Sequence, residues 1–471
     1  MSQSLTRPPT ADGPVTGTLS TGKLVASLLL ATVTCQLIIS METPAMPDIA
    51  RRLHADASVV GTGQAAFYLT GALLSIVMAA YSDHVNIRKL IGAALLVTLA
   101  GAVLAAAAPN VTVFVIGRVL QGPATAMFPL ALRLLRQALP GAGFGRAMGL
   151  LTAANGGVVG LDGLLSGWLT DHYGFRAVFV LMAVVDVITF VVLTRTLPDQ
   201  RSTTTSKLDV WGVVLLTLSI GCVEVGLGWL SGPGLGMGLV LLAGAVLFTV
   251  FCLVEKRRAH PLLPIGYLRS RRAWPVLLTS VLATAGMLGP INYLMPIYSQ
   301  NHEFGFGMTA TLSSILFVAT VCLVNVLFAP VVGWFAPKVG WRTTLRVSMA
   351  MAVPCLALLA LGIHQPWLAC VAITLLGVAF AGALTPLNGL SAILANENSK
   401  TVLPGVNAAA YGIGSSLGIL LASRLTAQSP GRAVSAADFQ LSLWTDAAVL
   451  AVGFLIALAI GGIAGKPGER V

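Results

Sequence analysis

The sequence predicts an all-α polytopic membrane protein, because it is long, strongly apolar and poor in charge. The chain has 471 residues, of which 56% are hydrophobic and only 10% are charged, and its mean hydropathy is +0.87. A soluble domain carries about 25% charged residues, so this composition excludes an ordinary soluble enzyme, a disordered protein and a nucleic-acid-binding protein. The apolar runs are continuous rather than alternating, which excludes a membrane β-barrel.

Fourteen apolar runs are long enough to cross a bilayer as helices, which takes about 20 residues each. They begin near residues 23, 59, 89, 112, 146, 176, 209, 235, 274, 309, 343, 367, 403 and 442. Fourteen spans use roughly 280 residues. The loops and the two tails therefore leave no room for a separate soluble domain, which disfavours a sensor or a scaffold.

The lysines and arginines predict how the chain is oriented in the membrane. With the N-terminal tail in the cytoplasm, 22 of the 28 lysines and arginines fall on the cytoplasmic side, 5 fall on the opposite side, and Arg118 lies inside a span. This asymmetry fits the positive-inside rule, so we expect both termini to be cytoplasmic and the protein to lie in the plasma (inner) membrane. The first apolar run is too long for a cleaved signal and is expected to remain as a span.

No sequence motif indicates a metal, a nucleotide or a covalent catalyst, so we expect neither an enzyme nor a bound cofactor or metal. The six cysteines lie at wide spacing within apolar runs, which is not the spacing of a disulfide framework or a metal site. The chain has no HExxH motif, paired CxxC motif, phosphate-binding loop or GxSxG elbow. Without a phosphate loop it cannot hydrolyse ATP, so uphill transport must draw on an ion gradient, and we predict a proton gradient.

Weak internal similarity divides the chain into two halves. The turn at 82–89 after span two and the turn at 333–342 after span ten both combine a helix breaker with basic residues. Duplicated halves are typical of secondary transporters. We predict an N-terminal six-helix bundle, an inserted two-helix hairpin with its cytoplasmic loops, and a C-terminal six-helix bundle, flanked by cytoplasmic tails. The corresponding boundaries are 23–198, 199–273 and 274–465, with tails at 1–22 and 466–471.

Span four carries the clearest motif in the chain. It reads Arg118-Val-Leu-Gln121-Gly122, which matches the RxxQG motif of the major facilitator superfamily residue by residue. The sequence therefore resembles that superfamily, and specifically its fourteen-span drug:proton antiporter branch.

Two further stretches support the resemblance in part. The turn after span two matches the superfamily's GxLaDrxGrr motif at Asp83, Arg88 and Lys89. The GPxxGG motif of the antiporter branch falls in span five, where Gly163 replaces the proline, Gly167 matches the last glycine, and an aspartate replaces the first glycine. The resemblance implies a major-facilitator fold and transport by alternating access. It also implies conformational or gating roles for Asp83, Arg88, Lys89, Arg118, Gln121, Gly122, Gly163 and Gly167.

Acidic residues inside predicted spans indicate where protons could be carried. An ionisable residue at this depth costs roughly 2.5–3.5 kcal/mol on insertion scales, and burial disfavours the charged form of a carboxyl. A buried acid that meets water on one side and then on the other can therefore carry protons. We predict proton coupling at Glu42, Asp162 and Glu224. The alternatives are that Glu42 faces outer water at the end of a short span, that Asp162 pairs statically with Arg118, and that Glu224 snorkels.

Arg118 is the one cation expected at membrane depth. We predict that it pairs with a protonatable acid, so that protonation breaks the pair and permits a conformational change, whereas the alternative is a static contact with backbone carbonyls. Asp186 is a weaker candidate for proton coupling, and Asp446 is expected near the end of a span.

The scarcity of buried cations bears on the substrate. An organic anion would need several buried arginines or lysines, so we expect a lipophilic or cationic substrate. Uncharged hydrogen-bonding and aromatic side chains would bind it. Candidate cavity residues are Gln36, Gln64, Tyr68, Asn155, Asn292 and Tyr293. The prediction is proton-coupled efflux of drugs or antibiotics by a monomer whose partners are the lipid bilayer, a small-molecule substrate and protons, with no nucleic acid. The alternatives are a proton symporter that imports a small neutral solute and an exporter of an endogenous metabolite.

Overall fold

The computed structural model describes residues 21–82, 85–139, 142–197, 210–226, 235–257, 270, 273–394, 402–427 and 434–460. All regular secondary structure in these ranges is helical, as the sequence predicts. The gating candidate Asp83 and most of the predicted tails lie outside the described residues.

The first group of helices leads from the N-terminal side to residue 196. In chain order it contains α1 (Thr21–Ser40), α2 (Glu42–Arg52), α3 (Ala57–Tyr81), α4 (Ile87–Ala106), α5 (Val111–Gln121), α6 (Met127–Ala138), α7 (Ala142–Tyr173) and α8 (Phe175–Thr196). A 3₁₀ turn, Gly122–Ala126, joins α5 to α6. Helices α9 (Val210–Glu224) and α10 (Leu235–Glu255) come next in the chain.

The second group of helices occupies the C-terminal part of the chain. It contains α11 (Trp274–Gly289), α12 (Met295–Gln300), α13 (Ala310–Ser313), α14 (Thr320–Val339), α15 (Trp341–Leu361), α16 (Pro366–Ile393), α17 (Val402–Leu425) and α18 (Ala436–Leu458). Two π-helical segments interrupt otherwise continuous helices: Pro290–Leu294 joins α11 to α12, and Ser314–Ala319 joins α13 to α14. Segments of this kind are often found at functional sites.

Twelve helices within the described residues, several of them built from joined pieces, are long and apolar enough to cross a membrane. The sequence predicts fourteen spans. The two that are not among these twelve helices correspond to α7, which has 32 residues, and α9, which has 15. Many large apolar side chains of the described helices point outwards, which is the arrangement expected of a protein surrounded by lipid.

Short turns between helices are made by residues suited to them. Asn86 caps α4, because its side-chain oxygen accepts hydrogen bonds from the backbone N–H groups of Arg88 and Lys89 at 3.0 and 3.4 Å. Gly174 alone separates α7 from α8 and adopts a φ of 82°, a conformation that glycine tolerates better than other residues. A Cβ atom at this position would also lie 2.5 Å from the guanidinium carbon of Arg52.

The two groups pack internally and meet along two seams. In the first group α1 packs on α7 and α8, and α4 packs on α5 and α8; in the second, α11 packs on α17 and α18, and α15 packs on α16 and α18. One seam joins α3 to α17, and the other joins α7 to α13 and α14. Helices α9 and α10 pack on each other and reach the first group through Leu73 of α3, which clusters with Leu216 and Phe251.

Candidate functional site

The candidate site begins at the break between α1 and α2. Helix α1 ends at Ser40 and α2 begins at Glu42, in a segment that contains Pro44 and Pro47. A proline has no N–H group to donate and is accommodated in the first turn of a helix, whereas further along it weakens the helix. The carboxyl of Glu42 therefore lies where one helix ends and the next begins. It is 0% exposed, so the alternative that Glu42 faces outer water is wrong.

Glu42 forms an ion pair with Arg118 of α5. Nε of Arg118 lies 2.5 Å from Oε2 of Glu42, and both side chains are fully buried. The rest of the guanidinium group is held by uncharged acceptors: the Gln64 side-chain oxygen at 2.8 Å, the Ile38 carbonyl oxygen at 3.3 Å and the Gln121 side-chain oxygen. Removing one partner of such a buried pair costs about 3–5 kcal/mol.

The aromatic ring of Phe67 completes the surroundings of Arg118, with the guanidinium carbon 4.3 Å from the ring centroid. Protonation of Glu42 would cancel its charge while leaving Arg118 with its three uncharged acceptors and this ring. The arrangement thus allows the acid to gain and lose a proton without leaving the cation wholly unpartnered.

Asp162 of α7 lies on the other side of the same helix break. The Ser40 hydroxyl donates a hydrogen bond to Oδ2 of Asp162, and one turn along α7 the Ser166 hydroxyl donates to the backbone carbonyl of Met41. Asp162 is buried, and its recorded partner is Ser40, so the alternative of a static pair with Arg118 is wrong. Helix α7 therefore contacts the chain at the end of α1 and in the break itself.

The six cavity candidates occupy different places. Asn292, in the first π-helical segment, donates a hydrogen bond of 3.1 Å to the Tyr68 hydroxyl and so joins the two groups. The hydroxyl of Tyr293 lies 3.2 Å from that of Thr426, and the Tyr293 ring covers Gly61 of α3. Gln64 belongs to the Arg118 cluster and also donates to the Ile39 carbonyl at 3.4 Å.

Gln36 is buried in α1, and the side chain of Asn155 lies outside the described residues. The side chain of Glu224, at the end of α9, also falls outside them, so its proton role stays a prediction. Because Gln64 and Tyr68 are one turn apart on α3, one face of that helix links the buried ion pair to the contact between the groups.

The glycines with predicted gating roles sit at close helix contacts. A Cβ atom at Gly122 would lie 2.8 Å from the Thr70 side chain, and one at Gly163 would lie 3.3 Å from Val318. One at Gly167 would lie 2.8 Å from the Ala310 carbonyl oxygen across the seam between the groups. Glycine allows these close approaches, and the gating roles themselves stay predictions.

Sequence comparison bears directly on the chain's ancestry. The family model described as Major Facilitator Superfamily matches residues 28–423. The chain belongs to the Major Facilitator Superfamily. It is therefore a multi-pass membrane transporter that acts on a small-molecule substrate, and it is not an enzyme.

Several members of the superfamily are similar over most of this chain. It is 32% identical over 410 residues to the uridine/deoxyuridine transporter of Lactococcus lactis subsp. cremoris, and the aligned region covers 84% of this chain and 85% of that transporter. It is 28% identical over 404 residues to the tetracenomycin C resistance and export protein of Streptomyces glaucescens, with 81% and 72% covered.

Among solved structures, the peptide transporter POT in complex with sulfate superposes with a TM-score of 0.72 at 14% identity, covering 96% of each chain. The nucleoside transporter NupG superposes with a TM-score of 0.65 at 12% identity, covering 93% of this chain and 99% of that one. These likenesses confirm the all-helical Major Facilitator Superfamily fold.

For this Major Facilitator Superfamily member, the sequence misplaces one buried acid, Asp446, and gives little weight to another, Asp186. The expectation that Asp446 lies near a span end is wrong, because α18 begins at Ala436 and Asp446 is in the middle of its 23 residues, 1% exposed. A capping box of Ser435 and Asp438 starts this helix, and that pattern could have located the start. Asp186, ranked low by sequence reasoning, is fully buried in α8.

Asp171, which sequence reasoning did not single out, joins the two groups at the end of the molecule where α2 and α7 finish, hereafter the α2 end. Its carboxylate accepts hydrogen bonds from the backbone N–H groups of Ala310 and Thr311, both at 2.9 Å, and from the Thr311 hydroxyl at 2.5 Å. Gln300 adds a second link at this end, donating to the Pro44 carbonyl at 3.0 Å. The two groups are therefore in contact at the α2 end.

Replacing Asp171 by asparagine is expected to loosen the α2 end. The amide keeps one acceptor oxygen but loses the negative charge that favours a helix N-terminus, and loss of a cap costs about 1 kcal/mol, equivalent to about a fivefold change in population. We expect longer distances between nitroxide labels at His54 and Gln365, measured by pulsed electron resonance. Asn110→Ala, which removes a cap on the backbone N–H of Val113 within the first group, is the control. Equal distance distributions for Asp171→Asn and the parent would contradict the role of Asp171.

Proposed function

We propose that this chain couples the movement of protons to the uptake of a small uncharged solute of the pyrimidine-nucleoside class, by alternating access. The observation that carries the proposal is the fully buried Glu42–Arg118 ion pair. Gln64, which accepts a hydrogen bond from Arg118, lies on the same face of α3 as Tyr68, which contacts Asn292. Glu42 can bind a proton, and the nearby Tyr68 and Asn292 present uncharged hydrogen-bonding groups.

The polar groups of this site favour an uncharged solute. Arg118 already has an anionic partner and three uncharged acceptors, so it offers little positive charge to a substrate anion. The Tyr68 hydroxyl and the Asn292 amide can each both donate and accept hydrogen bonds, as the edges of a nucleobase and a ribose require. The 32% identity to the Lactococcus lactis uridine/deoxyuridine transporter supports this substrate class.

The proposed coupling step begins with protonation of Glu42. Protonation removes its charge from the α1–α2 break, and Asp162 on the other side of the break serves as a second proton acceptor in this scheme. A solute that replaces the hydrogen bond between Tyr68 and Asn292 separates the two groups at mid-depth. Occupancy of both sites then favours rocking of one group against the other. No bound cofactor enters this scheme, and the proton gradient supplies the energy.

We further propose a fourteen-span layout within the superfamily. Adding α7 and α9 to the twelve apolar helices gives six spans, a hairpin of α9 and α10, and six more spans, consistent with the predicted boundaries 23–198, 199–273 and 274–465. The lysine and arginine distribution supports cytoplasmic termini, with the α2 end on the opposite, outer side of the plasma membrane. One chain holds both groups and the site between them, which supports a monomer as the functional unit.

Efflux of lipophilic or cationic drugs, as in the fourteen-span drug:proton antiporter branch, is the second candidate function. It is supported by the RxxQG match at residues 118–122 and by the likeness to the Streptomyces glaucescens tetracenomycin C resistance and export protein. The two functions differ in the direction of the proton relative to the substrate, and that difference can be measured.

A proteoliposome assay separates the two candidates. With the outside of the vesicles made acidic, we expect radiolabelled uridine to accumulate inside, and we expect a protonophore to abolish the accumulation. Symport predicts that uridine addition alkalinises the outer medium, as measured with a pH indicator. Movement of ethidium, without uridine movement, accompanied by proton flow in the opposite direction would instead establish the efflux function and reject the nucleoside proposal.

A further inference from the structure

The buried acid Asp446 lies in the C-terminal helix group, outside the Glu42–Arg118 cluster. Asp446 lies in the middle of α18 and is 1% exposed. Neither carboxylate oxygen has a hydrogen-bond partner among the described residues, and the hydroxyl of Ser442, one turn earlier on the same helix, has none either. A carboxylate deprived of water, of donors and of a counter-ion is strongly disfavoured, so such a group takes up a proton instead.

The helices that pack on α18 offer no nearby countercharge to Asp446. Helix α11 contains no ionisable side chain in its range 274–289. On α15, the guanidinium of Arg346 is turned to the far end of α18, where it donates to the Ala457 and Leu458 carbonyls at 3.2 and 2.9 Å, about three helical turns from Asp446. The remaining ionisable groups on packed elements are Arg342 and Cys355 on α15, Tyr411 and Arg424 on α17, Tyr293 in the π-helical segment, and Tyr298 on α12, whose ring contacts Phe439 of α18.

The carboxyl of Asp446 lies on a helix that is tightly covered by α11. A Cβ atom at Gly286 of α11 would lie 2.9 Å from the Asp446 carbonyl oxygen and 2.6 Å from the Leu450 side chain. Gly453, further along α18, is equally close to Leu282 and Met349. Contacts of this closeness leave no layer of water between α11 and α18 on this face in the present conformation.

The same helix α11 leads into the candidate transport site. Gly286 lies one turn before Pro290–Leu294, the π-helical segment whose Asn292 contacts Tyr68 of the first group. A displacement of this segment when the solute binds or leaves therefore moves the helix that covers Asp446.

The first group contains a counterpart of this arrangement. Asp186 is fully buried in the middle of α8, and α8 packs on α1 and α4 as α18 packs on α11 and α15. Equivalent positions in duplicated halves are expected to share an environment. The occurrence of an acid at both makes an accidental placement of Asp446 less plausible, given what an intramembrane acid costs.

We propose that Asp446 is a further proton-binding site, separate from the Glu42–Arg118 pair and from Asp162, and located in the wall of the C-terminal helix group. In the present conformation the carboxyl is protonated and buried, on a helix whose backbone at Asp446 is covered by α11. When α11 moves away from α18, water reaches the carboxyl, its O–H bond breaks, the proton passes to water and the carboxylate remains. The proposal rests on the proposed function for the identity of the coupled ion, and it adds one proton to each transport cycle.

Infrared spectroscopy of the reconstituted full-length protein tests the proton occupancy without any substrate. The spectrum of the parent minus that of Asp446→Asn should contain the carbonyl-stretch band of a protonated carboxyl that lacks hydrogen bonds, and the band should shift in heavy water. Ser442→Ala, on the same face of α18, should retain the band. Absence of the band would show an ionised Asp446 and overturn the proposal, whether or not uridine is the substrate.

Transport measurements test whether this proton is exchanged during the cycle. Loss of one coupled proton lowers the accumulation ratio for uridine by up to roughly fiftyfold at about 100 mV, so Asp446→Asn should show this loss while keeping substrate exchange at equilibrium. Asp446→Glu should restore driven accumulation, and this rescue excludes a fold defect. If the infrared band is present and both driven accumulation and its pH profile match the parent, the proton is static and the proposal is wrong.

Discussion

Replacing Glu42 by glutamine is expected to remove the part of proton-driven substrate accumulation that Glu42 couples, while leaving the protein folded. The amide has nearly the same shape but cannot ionise, and Arg118 keeps its contacts with Gln64, Gln121 and the Ile38 carbonyl. One coupled proton at about 100 mV is worth about 2.3 kcal/mol, so the accumulation ratio should fall roughly fiftyfold. The measurement is radiolabelled uridine accumulation in proteoliposomes under an imposed gradient, compared with exchange at equilibrium.

The control for this change is Glu303→Gln, which makes the same substitution at an exposed position. The Glu303 variant should accumulate substrate like the parent. The pH dependence gives a second readout, because transport by the parent should fall as alkaline conditions remove the proton from Glu42, whereas the Gln variant should lack that step. Driven accumulation by Glu42→Gln at the parental level would rule out Glu42 as a proton carrier.

Replacing Arg118 by methionine is expected to cause the largest loss of stability of any change considered. It leaves the carboxylate of Glu42 fully buried without its cation, and removing one partner of a buried ion pair costs about 3–5 kcal/mol. The double variant Arg118→Met with Glu42→Gln should recover most of that loss, because no unpaired charge remains. Thermal unfolding of the purified protein in detergent measures both effects, and transport should stay absent in the double variant.

The exposed Arg257 provides the matched control for the arginine substitution. Arg257→Met should unfold at the same temperature as the parent. If the double variant is as unstable as Arg118→Met alone, the loss arises from the packing of Arg118 over Phe67 rather than from its charge, and the ion pair would not be the stabilising interaction.

The sequence predicts much of the fold but little of the pairing inside it. Composition and apolar runs predict an all-helical membrane protein, and the RxxQG match predicts the family. The sequence also predicts a protonatable partner for Arg118 without assigning it, and both Glu42 and Asp162 are among the predicted proton carriers. Choosing between them requires the rotation of each helix about its axis, which continuous apolar runs do not encode. The structure assigns Glu42 to Arg118 and Asp162 to Ser40.

A wrong helix boundary and an unforeseen long-range contact kept two acids, Asp446 and Asp171, from being identified as candidates. The expected start near residue 442 made Asp446 a residue near a helix end, whereas the capping box at Ser435 moves the helix start to Ala436 and puts Asp446 in the middle of the helix. Polar residues such as Gln440 and Ser442 interrupt the apolar run in the first two turns, so a search for apolar runs starts the helix too late. Asp171 escaped notice because its partners, Ala310 and Thr311, are 139 and 140 residues away in the chain, and long-range contacts leave no local pattern.

Within the described residues, helices α9 and α10 pack against the first group through α3. Their shared apolar cluster includes Leu73 of α3 in the first group, while Leu235, Leu239 and Leu242 of α10 face outwards. Whenever the first group tilts, this pair must move through the surrounding lipid with it, and the described part of the second group has no extra helix pair of this kind. The viscosity of the bilayer would therefore slow one half of the molecule more than the other, so turnover should respond to lipid fluidity even where substrate affinity does not.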